Sequence, residues 1–195
     1  MTTPLITEVE QLVAPLPRVT GGVLHAPKGT TLPTDALSAP DPAFLSLGRV
    51  SSDGVDRTEE RGNVEIQDWG GNLVAVLQDK FGLTLKFKLL QFMNADVQKV
   101  AHGADNVTVT PPTTTGGTEI AAQINNALLD YGSWIIDGFY LDASMRLVVP
   151  LGRITTLGPQ KWVHKELTMY DITLKCFPDE VNNVAYQYSN DGVPL

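Results

Sequence analysis

Cysteine is almost missing from this 195-residue sequence: Cys176 stands alone. One thiol excludes an internal disulfide and every CxxC metal or redox motif. Its flanks, KCF, read as strand, so Cys176 is expected to be a small packed hydrophobe. A chain this long needs no such staple. With 43% apolar residues it can fill one substantial core, and a single domain is the default.

Long hydrophobic runs are missing too. The longest apolar stretches, such as Leu147 to Leu151, are far too short to span a bilayer. The opening MTTPLITEVEQLVAPLPR has no basic start followed by a long apolar run, so no signal peptide and no membrane partner are expected. A cationic surplus is also lacking, with 14 Lys plus Arg against 22 Asp plus Glu and a net charge of -8. Phosphate-backbone affinity depends on cationic side chains, and here Lys86, Lys88, Arg57 and Arg61 are each interrupted by apolar or acidic neighbours. Three Trp, five Tyr and six Phe are too few and too scattered for a base-stacking platform. Trp69 and Trp162, beside turns and charged residues, are the better interface candidates.

Catalytic signatures are lacking as well. His25, His102 and His164 stand at no HExxH spacing, the paired glycines open no phosphate loop, and no serine sits in GxSxG. The one crowd of carboxylates, Asp53, Asp56, Glu59 and Glu60, misses the calcium-loop spacing and already has Arg57 and Arg61 as counter-charges. No enzyme activity, metal or cofactor is expected.

What is present is strand grammar. Residues 1–43 are punctuated by seven prolines among Thr, Ala and Gly; only Ile6 to Val13 suits a regular element, and the segment reads as an arm lying on the domain or reaching a neighbour. Residues 44–195 read as one domain. FLSLGRV is a weak strand, SSDGVDRTEERG a polar loop, NVEIQDW a strand, and Gly70-Gly71-Asn72 a turn before LVAVLQD, which continues the pairing or opens a short helix. LTLKFKLLQF alternates, with Leu83, Leu85, Phe87 and Leu89 on one side and Thr84, Lys86 and Lys88 on the other. Asn94 suits the N-cap of a short helix ADVQKVAH that must dock through Val97, Val100 and Ala101. NVTVT is a strand. TEIAAQINNALLDYG carries an apolar stripe at helical spacing, Ile120, Ile124, Ala127, Leu128 and Tyr131, and predicts a second helix. SWIIDGFYL and MRLVVPLGRIT predict strands around a tight turn at Asp142-Ala143-Ser144. KELTMYDITLKCF predicts a long strand and VAYQY a last short one. Mostly strands with one or two short flanking helices predicts a mainly β protein, an antiparallel β-sandwich or barrel.

The order LTLKFKLLQF, NADVQKVAHG, DNVTVT, then DGFYLDASMRLVVPLGRI and KELTMYDITLKCFPDE resembles the central part of siphophage major tail tube proteins. That resemblance implies hexameric rings stacked into the tube of a non-contractile tail, a channel for DNA ejection. A loop reaching the next ring maps onto Ser51 to Gly62, making Asp53, Asp56, Arg57, Glu59, Glu60 and Arg61 the assembly residues. Glu65 and Asp68 are the acids expected to face an anionic bore, past which duplex DNA slides without specific binding. Implied partners are further copies of the chain, a tape measure protein, and tail terminator and distal tail proteins. The implied location is the virion tail, reached from the host cytoplasm. The alternatives are a terminator or connector that stops at one ring, and an unrelated ligand-binding or hydrolase sandwich.

Overall fold

A computed structural model describes residues 13–18 and 22–193; Ile6 to Val13, apart from its last residue, lies outside them. In chain order the elements are β1 (Leu16–Pro17), β2 (Val23–Pro27), β3 (Leu45–Ser46), β4 (Val50–Gln67), β5 (Leu73–Leu89), α1 (Ala95–His102), a single 3-10 turn (Ala104–Asn106), β6 (Val107–Thr110), β7 (Glu119–Ala122), β8 (Gly132–Tyr140), β9 (Ala143–Leu157), β10 (Tyr170–Phe177) and β11 (Tyr186–Asn190). The main sheet runs β3-β2-β8-β9-β10-β5-β4, with β1 added to β8 and β11 to β9; β6 and β7 form a separate ribbon. Every pairing among the described residues is antiparallel. The result is the expected mainly β, sandwich-like fold with one short helix.

Alternation explains the core. Leu83, Leu85, Phe87 and Leu89 of β5 and Tyr170, Ile172, Leu174 and Cys176 of β10 point to one side, where Trp134, Val149, Leu47 and the helix residues Val97 and Ala101 complete the cluster. Cys176 is buried as expected, and desolvation pushes its thiol up to about 12. Ala26, Phe44, Ile135 and Val148 make a smaller cluster with Leu24, Leu32, Tyr186 and Tyr188. Thus β2, inside the Pro-rich stretch, is a full member of the sheet, paired from Val23 opposite Ile136 to Pro27 opposite Gly132.

The chain just after β2 is held by a buried arginine. Arg146, 2% exposed, donates from Nη1 to the carbonyls of Asp35 and Ser38 at 3.1 and 2.7 Å and from Nη2 to Asp137 Oδ2 at 2.8 Å. Arg18 lies 3.9 Å from the other Asp137 oxygen. One inward-facing cation on β9 thereby pins an irregular segment to β8.

The helix ADVQKVAH forms as predicted. The Asn94 side chain accepts from the Asp96 amide, and Asp96 and Lys99 sit at the ends the helix dipole favours. Four expectations fail. The apolar stripe from Glu119 is no helix: β7 takes ladder bonds from β6, the Gln123 amide donates to Asn106 O, and Asn125 turns back to cap the Ala127 amide. Asn side chains compete for backbone in this way, and Ile124 and Leu128 remain exposed. Ser51 to Gly62 is no loop but part of β4, whose charges are tolerated because neither of its faces is buried. The tight turn between β8 and β9 is Leu141-Asp142, with Leu141 at φ 52 and Ala143 already paired to Tyr140. Lys165 to Met169 precede β10 and do not extend it.

Candidate assembly surface

β4 and β5 are 18 and 17 residues long, where strands usually run to about 10. At roughly 3.3 Å per residue the hairpin spans about 60 Å, twice the diameter of a small domain. Its two halves have different surroundings. From Leu83 to Leu89, β5 is also paired with β10. Beyond Gly62 and Lys80 it has only β4, and nothing from Asn63 to Phe81 is buried. The register shifts between Gly62 and Asn63. A side chain at Gly62 would meet Asp79 Oδ1 at 2.4 Å, a contact the exposed Asp79 side chain can relieve by turning away.

Cross-strand register sorts the ribbon's faces. Val64 faces Leu77 and Ile66 faces Ala75 on one side; Glu65 faces Val76 on the other, and after a register shift Leu73 stands opposite Gln67. Val64, Ile66, Leu73, Val74, Val76 and Leu77 are all more than two-fifths exposed. The tip is closed by Asp68, whose carboxylate accepts from the Asn72 amide at 2.8 Å and the Asn72 side chain at 3.0 Å. Those bonds hold its pKa below the usual carboxylate value. Trp69, next to it, is fully exposed.

The six residues expected to mediate assembly all lie on the body half of β4, which is the outermost strand of the sheet. They fall into two sets. Facing the core side, Glu59 lies 3.3 Å from Arg57 and 3.6 Å from Arg61. Arg57 also donates to Gln187 Oε1 at 2.7 Å, and the Arg61 guanidinium sits 4.8 Å above the Phe81 ring. On the opposite face, Asp56 stands across from Lys86, Glu60 across from Gly82, and Asp53 binds Lys88 at 2.7 Å. That hydrogen bond and charge lower the Asp53 pKa and raise that of Lys88. β10 adds Asp171, Thr173 and Lys175 to the same face, which is polar and of mixed charge. Glu65 and Asp68 are elsewhere, on the ribbon and its turn.

Sequence reasoning singled out Trp69 but missed the apolar row behind it. The signal was present: NVEIQ alternates and LVAVL is an apolar run on either side of the DWGGN turn, the pattern of one hairpin.

A second feature lies beside β2 and β3, close to where β4 begins. A recess of about 560 Å³ opens between β2, β3 and α1, lined by Leu45, Val100, Leu129 and Trp134 with Lys28 and Asp130 also contributing. His25 packs on the Trp134 ring, centroids 4.6 Å apart. Burial drives its pKa down to about 4, so the imidazole is neutral near pH 7. At the far end of α1, His102 Nε2 lies 3.3 Å from the Tyr170 hydroxyl, and desolvation again lowers its pKa. Among the described residues no group of three His, Cys, Asp or Glu side chains is placed to hold a metal ion.

A sequence profile described as phage tail tube protein matches residues 11–194. No curated protein matches the sequence. Two solved structures resemble the fold. One is a chain of the sheath-tube complex, in its extended state, of the extracellular contractile injection system PVC: 10% identity, 90% of this chain and 93% of that chain covered, TM-score 0.46. The other is the tube-terminating cap of the anti-feeding prophage: 10% identity, 95% and 100% covered, TM-score 0.47.

Proposed function

We propose, from the premise that this chain belongs to the phage tail tube protein family, that its copies close into hexameric rings which stack into the channel of a non-contractile tail. Membership makes it a structural, tube-forming protein of the virion and not an enzyme. The observation that carries the finer reading is the hairpin. A ribbon with an uncovered apolar row, on the outermost strand of a sheet, is costly to leave in water. Both the row and the free edge of β4 are satisfied by another copy, and the charges on β4 limit pairing to a matched partner.

In this reading the bore wall is the polar face of β10, β5 and β4, where Asp53, Asp56, Glu60 and Asp171 alternate with Lys86, Lys88 and Lys175. Glu65 and Asp68 leave the wall with the ribbon. A face whose cations are matched by carboxylates offers a phosphate backbone no net attraction, so duplex DNA passes without holding. The ribbon and the Glu59 cluster serve contacts between copies; the tape measure, terminator and distal tail proteins meet the bore and the two tube ends. Negative-stain microscopy of the purified full chain tests the reading. Hollow cylinders with sixfold end views are expected; single rings would make it a terminator or connector, and a monomer at every concentration would overturn it.

A further inference from the structure

The outermost residue of the ribbon and the recess beside β3 are complementary. Among the described residues Trp69 makes no ring or polar contact, and it is fully exposed. A tryptophan at such a tip is the kind of anchor that dominates interface energetics, and its buried N–H needs an acceptor. The recess supplies an apolar interior in Leu45, Val100 and Leu129 above Trp134, with Asp130 as a carboxylate on its lining. Neither Asp130 nor Lys28 is in an ion pair among the described residues, whereas Asp96 on the same lining is taken by Lys99 at 3.6 Å. Asp68, rigidly held beside Trp69, carries the charge that Lys28 lacks a partner for.

Topology decides the occupant. The recess lies beside the start of β4, since only residues 47–49 separate that start from β3, whereas Trp69 stands past the far end of β4, two residues beyond Gln67. A paired hairpin of about 60 Å keeps the two apart within one chain, and complementary features held at its opposite ends make a head-to-tail contact between copies, which closes a ring or propagates a filament. We propose that Trp69 of one copy seats in this recess of a second copy, its indole N–H donating to Asp130 and Asp68 lying against Lys28. This rests on the self-assembly reading above and specifies its contact.

The test is a cysteine pair in the full chain, Gln67→Cys with Lys28→Cys, both at exposed positions, which leaves Trp69 intact; buried Cys176 stays out of the reaction. Under mild oxidation the pair is expected to give a ladder of covalent multimers that neither single variant gives, and Trp69→Ala in the same background to remove it. Trp69→Ala alone is expected to raise the concentration needed for assembly about thirtyfold. If the cysteine variant forms cylinders without a ladder, or Trp69→Ala assembles at the wild-type concentration, the contact is wrong and the tube reading stands. A ladder from Gln67→Cys alone marks tip-to-tip contact and also overturns it. A wild-type chain that never assembles overturns both.

Discussion

β5 carries two apolar runs that meet opposite fates. Leu83, Leu85, Phe87 and Leu89 are at most 4% exposed, while Leu73, Val74, Val76 and Leu77 are 52–65% exposed. The side chains are of one kind and the strand is continuous. The difference is the neighbours: β10 and α1 cover the first run, and only β4 accompanies the second. Alternation tells that a strand has faces; what covers a face depends on residues far away in sequence, or on another molecule.

Substitutions sharpen that contrast, because the body's stability is internal to the chain and the ribbon's is not. The largest loss is expected from Arg146→Met, which leaves Asp137 buried without its partner and frees the Asp35–Ser38 segment: about 3–5 kcal/mol in urea unfolding. Leu85→Ala empties a fully buried site and is expected to cost about 2–5 kcal/mol, read as a lowered urea midpoint. Acid should act on the body next. The folded pKa of His25 lies near 4, below its unfolded value, so its contribution is fully present above about pH 6.5. As pH falls from there through 4 the unfolded chain takes up a proton that the folded chain refuses, and stability drops by on the order of 3 kcal/mol. His25→Phe should flatten that part of the pH–stability curve. The smallest effect is expected from Leu77→Ser on the ribbon, under about 0.5 kcal/mol in the unassembled chain, yet with loss of cylinders in the microscope. If Leu77→Ser destabilised the lone chain as much as Leu85→Ala, the two runs would not differ as described.

Local rules carried the reading well where a segment holds its own instructions. The Asn94 cap, the β5 and β10 alternation and the DWGGN turn each form as their residues dictate. They failed where the outcome depended on a distant partner. Ile120 to Tyr131 had helical spacing, but its start, as far as Ala122, paired with β6 instead. The charged run from Asp53 to Arg61 looked like a loop because composition does not reveal that β5 stands opposite it, residue for residue. Arg146 gave no hint of burial, since its partners are two carbonyls more than a hundred residues away and a carboxylate on the next strand. The candidate site was half legible: its charged residues and Trp69 were named, its apolar row was not.

By itself the sequence determined that the chain folds as a mainly β domain, which side of β5 and of β10 is apolar, where the short helix begins, and that no reactive motif is encoded. These follow from period, caps and turn residues, which act over a few positions. Tertiary structure alone decided that Val50 to Leu89 makes one hairpin, that its far half is bare, and that Trp69 and the recess near Trp134 lie at opposite ends of that hairpin. Those are facts of pairing between distant segments, where backbone hydrogen bonds, indifferent to side-chain identity, let register and strand order set what is near what.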